Sequence, residues 1–387
     1  PHLVGEAFLK HFGVKPNTPE AHAFTYLDFA EAAEKYGKVG GFAHLRTLVK
    51  HMKEQRPGAI LLDGGDTWQG SASALWTDAQ EMIEAQKILG SDVFTSHWEA
   101  TYTADRMVEG LKDLENSGVD FVAQNIYDVM WGERVFKPYT MREMNGHKVA
   151  VIGQAFPYTP IANPKWMTAD WSFGIRDQEM QQAVDQARAE GAEAVIVLSH
   201  NGMDVDLKMA SRVTGIDAIM GGHTHDAVPQ PTVVENKSGK TLVCNSGSNS
   251  KFLSVLDLDI KGGKVVDYNY TMLPVFSNFI EPDTEMQSFI DNSRKRKITL
   301  NNERIYGKRN GESFVMEERL NKVLAKTDSL LYRRGNFTGT WDQVICDALI
   351  EQTDSDMSFS PGVRWGTSLI PGSDITYEDM MTECALT

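Results

Sequence analysis

The stretch Ala59-Ile60-Leu61-Leu62-Asp63-Gly64-Gly65-Asp66-Thr67 decides how this chain folds. Its first five residues are a short, mostly apolar run cut off by a glycine pair, which reads as a buried strand by length and flank. Asp66 then sits on the turn that leaves the strand. Amphipathic helical patterns bracket the stretch, over residues 40–54 before it and 78–89 after it. Working outward, further strands are predicted at 92–95, 121–124, 149–154, 194–199 and 218–221, with helices between several of them, for example over 177–190. After Gly221 the pattern changes to consecutive β segments at 231–234, 241–244, 252–260 and 265–273, the last two joined by a Lys261-Gly262-Gly263-Lys264 turn. Mixed βαβ units followed by antiparallel strands predict an α/β fold, a sandwich of sheets with helices outside.

Near Phe276 the character shifts. A charged helix is predicted over 281–304, with Arg294-Lys295-Arg296-Lys297 as its solvated face, and a polar connector over 306–312. A smaller region follows, with a helix over 340–352, a Gly/Pro-punctuated loop over 360–372 and a helical pattern starting near Tyr377. The expected organisation is a first domain over 1–276, a linker with a helix over 277–333 and a smaller α/β domain over 334–387. No internal repeat is visible.

The 387 residues are 41% apolar and 24% charged, the balance of an ordinary soluble globular protein. No apolar run approaches the length of a membrane span. A net charge of −15 argues against a nucleic-acid partner, whose phosphates demand a basic face. Three cysteines, Cys244, Cys346 and Cys384, are too scattered for a disulfide framework or a zinc knuckle. The chain opens at Pro1 without a signal-peptide pattern, which reads as a fragment or a processed chain.

Four of the ten histidines follow predicted strands. His97 ends Asp92-Val93-Phe94-Thr95-Ser96-His97, and His200 ends Val195-Ile196-Val197-Leu198-Ser199-His200. His223 and His225 fall in Gly221-Gly222-His223-Thr224-His225. Loops converge at the carboxyl edge of such sheets, which is where functional groups gather. A single histidine at a strand end is more often an ordinary polar residue than a ligand. One carboxylate and four imidazoles, all at strand ends, form an N/O donor set suited to Mn, Fe or Zn. Asp66 can bridge two cations, and glycines beside Asp66 and His223 let the backbone turn sharply. Two ions about 3.5–4 Å apart lower the pKa of a shared water and clamp an anionic tetrahedral group.

In this order, Gly65-Asp66, Ser96-His97-Trp98-Glu99, Ser199-His200 and Gly222-His223-Thr224-His225 resemble the second to fifth motifs of calcineurin-like metallophosphoesterases. Asn336-Phe337-Thr338-Gly339, Pro361-Gly362-Val363-Arg364 and Asp374-Ile375-Thr376 resemble the C-terminal substrate domain of the 5′-nucleotidase branch. Within that branch the chain most resembles the SoxB family of sulfur-oxidation thiosulfohydrolases. The superfamily's usual third motif is Gly-Asn-His-Glu, with Asn a ligand and His the general acid; here His97 takes the first position and Trp98 the second. The runs Asp66-Thr67-Trp68-Gln69-Gly70-Ser71, Gly153-Gln154-Ala155-Phe156-Pro157-Tyr158-Thr159-Pro160-Ile161 and His200-Asn201-Gly202-Met203-Asp204-Val205-Asp206 carry the same resemblance.

The resemblance implies a four-layer αββα sandwich followed by a partial C-terminal domain. It implies two divalent ions, with manganese expected first and zinc or iron as alternatives. Asp66 would bridge them, His97, His200 and His223 would complete one, and His225 would serve the other. The remaining Asp-X-His motif is not in the chain, so one metal position is expected to be incomplete. The implied reaction is hydrolysis of a cysteine S-thiosulfonate on the carrier protein SoxYZ, in the periplasm, with release of sulfate. A persulfide leaving group needs no proton donor, so Trp98 is expected to pack or to donate its indole N–H to a sulfonate oxygen. Arg364 is expected to hold the sulfonate with its planar donor fork. Where the family pattern has glycine this chain has Ser96, Thr103, Ser250 and Ser254, and Ala100 replaces an aromatic; added side chains are expected to crowd or strain these turns. Two alternatives stand beside this reading: a 5′-nucleotidase or cyclic-nucleotide phosphodiesterase, and an inactive homologue that binds the carrier.

Overall fold

Two sheets face one another in the larger part of the molecule, and the interface between them explains the apolar runs. The computed structural model describes residues 3–168, 170–237, 239–333, 339–360 and 367–384. By packing, the chain divides into one unit of Lys38–Gln69 with Gln80–Phe289 and a second of Pro1–Gly37, Gly70–Ala79 and Ile290–Thr387. Residues 1–37 and 70–79, which lie inside the stretch 1–276, thus group with the C-terminal part.

In the larger unit, Leu62–Asp63 (β1), Val93–Phe94 (β2) and Asp120–Phe121 (β3) form a parallel sheet in that order. A six-stranded sheet is built from Tyr139–Met144 (β4), His147–Gln154 (β5), Ala194–Ser199 (β6), Ala218–Gly221 (β7), Thr232–Asn236 (β8) and Gly239–Asn245 (β9). Its order is β8-β9-β7-β6-β5-β4, parallel in the middle and antiparallel at both edges. Phe252–Lys261 (β10) and Lys264–Pro274 (β11) form a long hairpin across the Gly262-Gly263 turn.

The central strands are buried on both faces, which is why they read as unbroken apolar runs. Alternate residues divide between two cores. Ala150, Ile152, Val195, Val197, Ile219 and Val243 pack under the helices Asp177–Ala189 and Met203–Arg212 through Met180, Ala183, Val184, Met209 and Ala210. Val149, Val151, Ala194, Ile196, Leu198 and Ala218 face the other way, toward Leu62, Val93, Val122, Leu256 and Leu258. Helices Phe42–Gln55, Gln80–Leu89 and Ala104–Asn116 cover the far side of the second layer. The unit is a four-layer αββα sandwich.

The smaller unit holds its own clusters. Phe8, Leu9, Val14 and Ala21 form one, and Ala72, Trp76, Leu300, Met316 and Leu320 another. Here the expected long helix over 281–304 is corrected. The helix runs only from Thr284 to Arg294, and Lys297–Thr299 then becomes a strand paired with Ser313–Val315. Arg294 is no free member of a solvated face: its guanidinium holds both oxygens of Glu378, at 2.7 and 2.8 Å. The β-branched pair Ile298-Thr299 follows this anchor and takes the extended form it prefers. A helix at Thr340–Thr353 and one at Tyr377–Cys384 lie where the periodicity predicts them.

Candidate metal centre

The register of the sheets brings the predicted ligands to one edge. Gln154 pairs with Ser199, Ser199 with Gly221, and Gly221 with Asn245, so β5, β6, β7 and β9 end side by side. His200 and the His223-Thr224-His225 turn leave from adjacent strand ends. In the facing sheet Asp63 pairs with Phe94, so the loops carrying Asp66 and His97 also leave together.

Close backbone approach is needed here, and glycine permits it. Gly65 has φ 91, and a Cβ there would lie 2.8 Å from the Thr95 carbonyl oxygen and 3.0 Å from the Ser96 carbonyl carbon. A Cβ on Gly222 would meet Nδ1 of His200 at 3.2 Å. Three candidate ligands are themselves left-handed, Asp66 at φ 66, His223 at φ 72 and His225 at φ 55. Such residues cost about 1–3 kcal/mol each and persist where the surroundings over-determine them, most often at functional sites.

The side chains converge. The ring centroids of His97 lie 4.5 Å from those of His200 and 4.9 Å from those of His223, and His200 and His223 are 5.5 Å apart. One ring nitrogen from each of the three can be chosen so that all lie within 4.8 Å of one another. Asp66 Oδ2 is 3.2 Å from His97 Nδ1 and 3.9 Å from His225 Nε2. His200 donates from Nδ1 to the Gly64 carbonyl at 2.6 Å, which leaves Nε2 as its free lone pair.

These residues fit a cation. Nε2 of His97, Nε2 of His200 and Nδ1 of His223 are buried and make no hydrogen bond within the protein, and Nδ1 of His97 faces the Asp66 carboxylate. Unsatisfied buried acceptors are costly, and a shared metal ion is what relieves several lone pairs facing one another. Burial pushes the imidazole of His223 down to about 4, and that of His200 well below its usual value, with the His97 ring adding to both. Both are therefore neutral at ordinary pH, the form that binds metal. Burial alone would raise the Asp66 carboxyl, but His97, His225 and His200 hold it far below the usual carboxylate range.

Trp98 lies half-buried beside the cluster, opening a short 3-10 turn over Trp98–Tyr102. Arg364, Asn336, Phe337, Thr338 and the Pro361-Gly362-Val363 run lie outside the described residues. Arg176 lies over the Tyr127 ring at 4.2 Å and donates to Ser172 Oγ at 2.9 Å. Phe156 is a neighbour that motif reading passed over as a site residue. Its ring sits 4.4 Å from His97 and 4.2 Å from His223, and its position two residues after β5 was the available signal. Of the glycine replacements, Thr103 has φ 83 and Ser250 φ 56, so these two are strained. Ser254 sits in β10 and bonds Ser246 and Tyr270, each at 2.8 Å.

A carboxylate and four histidines at the carboxyl edge of an αββα sandwich define a metallophosphoesterase-type centre. The chain belongs to the calcineurin-like phosphoesterase and 5′-nucleotidase superfamily. It is similar to SoxB within it: the solved sulfate thiohydrolase SoxB of Thermus thermophilus, in complex with glycerol, is 33% identical with a TM-score of 0.88, over 98% of this chain and 66% of that one. The 5′-nucleotidase of Rattus norvegicus is 26% identical over 279 residues, which is 66% of this chain and 47% of that protein. A solved 5′-nucleotidase precursor of Thermus thermophilus shares the fold, with 21% identity and a TM-score of 0.72 over 89% of this chain and 68% of that one. No family model matches the chain. The chain spans about half the length of the curated relatives it matches. The superfamily depends on two metal ions.

Proposed function

We propose that this chain carries the dinuclear centre of a thiosulfohydrolase of the Sox sulfur-oxidation pathway. Its substrate would be a cysteine S-thiosulfonate borne on SoxYZ, and its setting the periplasm. Among the described residues no helix is long and apolar enough to cross a membrane. Two divalent ions, manganese foremost, would activate water and stabilise charge on a tetrahedral anion. His97, His200 and His223 would hold one, Asp66 both, and His225 the other.

The observation that carries the reading is Trp98. It occupies the place where phosphoesterases keep a histidine acid, and it has no proton to give at neutral pH. Thr101, where that acid's carboxylate partner would stand, spends its hydroxyl on the Trp98 carbonyl at 2.6 Å. An alkoxide leaving group benefits from a general acid, and a persulfide does not require one. Water oxygen bonds to the sulfonate sulfur, and the electron pair of the S–S bond departs with the carrier persulfide. Sulfate and two protons are the other products. Trp98 and Phe156 set aromatic rings against the cluster, Trp98 on His97 and Phe156 on His97 and His223.

Sulfate release from thiosulfonated SoxYZ by the metal-loaded, full-length protein tests the proposal. Absent sulfate release together with brisk AMP hydrolysis would overturn it in favour of a 5′-nucleotidase.

A further inference from the structure

Glu99 is fully buried, and its two oxygens reach two different loops. Oε1 accepts from the backbone N–H of Thr67 at 2.8 Å and of Trp68 at 3.5 Å. Oε2 accepts from the backbone N–H of His97 at 2.5 Å. Thr67 directly follows Asp66, and His97 is itself a candidate ligand. One carboxylate therefore ties the backbone of the Asp66 loop to the backbone of the His97 loop. The two side chains so linked meet at 3.2 Å.

A carboxylate taken out of water costs several kcal/mol unless hydrogen bonds replace its hydration. Capping the turn over Trp98–Tyr102 would use only one oxygen. The other oxygen goes to a loop 31 and 32 residues away in sequence. We infer that Glu99 is a positioning residue that sets the separation of Asp66 and His97 and so the affinity of the centre for its metal. The inference rests on the metal-binding reading of the cluster and is independent of which ester or thiosulfonate is cleaved.

The bridge needs two acceptors at full side-chain length. Glu99→Gln keeps the volume and one acceptor but turns an N–H donor toward an amide donor, freeing one loop. Glu99→Ala frees both.

Titration of the metal-free full chain with Co²⁺ alone, followed by its visible absorption and by calorimetry, tests this. The expected order of affinity is wild type, then E99Q, then E99A, with losses of roughly 10- to 100-fold. The Co²⁺ absorption bands should shift in E99Q, because the angle between the Asp66 and His97 ligands changes, which a general loss of stability would not produce. Should E99A fail to fold, E99Q decides. A folded E99Q that binds Co²⁺ within twofold of wild type, with unchanged bands, overturns the inference. Wild type that binds no Co²⁺ removes instead the metal reading on which it rests.

Discussion

The indole of Trp98 lies almost flat on the imidazole of His97, with ring centroids 4.1 Å apart and planes 27° from parallel. The ring proposed to stand in the place of an acid thus also presses on a metal-ligand candidate. One substitution separates these two roles. Trp98→His restores a proton donor while keeping an aromatic ring over His97. We expect the residual hydrolysis of AMP, which must expel a ribose alkoxide, to rise by about 10-fold or more, since general acids contribute about 10²–10⁴-fold and the partner of this one is missing. Sulfate release should change by less than that. Steady-state assays of W98H on both substrates check it, and unaltered AMP turnover would show that Trp98 is not standing in for an acid.

Removing a histidine from the cluster should abolish stabilisation by metal rather than the fold. A ligand present at about 100 times its Kd adds about 2.7 kcal/mol. Wild type should therefore gain several degrees in melting temperature with Mn²⁺, and His97→Ala and His200→Ala should gain little. His97→Ala also gives up the 3.2 Å contact with Asp66, and His200→Ala the hydrogen bond to the Gly64 carbonyl at 2.6 Å, so the gain with Mn²⁺ is read for each variant against its own metal-free melt. Thermal melts with and without Mn²⁺, after chelation by EDTA, decide the matter.

Much of the site was legible because local rules coincide with the global ones. The runs at Ala194–Ser199 and Ala218–Gly221 are apolar up to a terminal serine or glycine, so their ends, and the histidines just beyond, could be read to the residue. What could not be read depends on partners far away in the chain. The helix expected over 281–304 stops at Arg294, and Lys297–Thr299 is instead taken up in pairing with Ser313–Val315. Phe156 belongs to the site only because β5 ends beside β6 in the sheet. Residues 1–37 join the smaller unit through contacts such as Tyr26 on Tyr332, at 6.0 Å, which no periodicity encodes.

Thr103 is exposed and β-branched, with φ 83 and ψ 154, a region that glycine enters freely and threonine does not. Strain of this kind costs about 1–3 kcal/mol, and a glycine gives back about 0.5–1 kcal/mol in unfolded-state entropy. The hydroxyl helps little as a cap, lying 3.5 Å from the Arg106 amide. Thr103→Gly should therefore stabilise the protein by roughly 1 kcal/mol, as read by urea denaturation at unchanged m. A destabilised T103G variant would mean that the backbone here is relaxed.

Asp206 gives a pH signature that can be isolated from the rest of the titration. It is fully buried, Oδ1 accepts from Ser199 Oγ at 2.6 Å and Asn201 Nδ2 at 3.1 Å, and Oδ2 has no partner. Burial pushes its carboxyl up to about 7, against the hydrogen bonds that lower it. Between the unfolded value near 4 and this folded value, the native state holds a proton that the unfolded chain has released. Stability must then fall as pH rises through that window, by about 1.4 kcal/mol per unit at most, and level off above pH 7. Asp206→Asn keeps the Oδ1 acceptor and removes the charge, so it should lack this slope. From pH 5 to pH 8 wild type should lose about 2–3 kcal/mol relative to D206N, measured by urea unfolding of the metal-free proteins. Parallel stability curves for the two would mean that Asp206 is ionised in the fold and that Oδ2 has found a donor, such as a trapped water. Curves that are not parallel would place a neutral acid beneath the His200 loop, where Oδ1 still accepts from Ser199 and Asn201 and no further negative charge is set near the cluster.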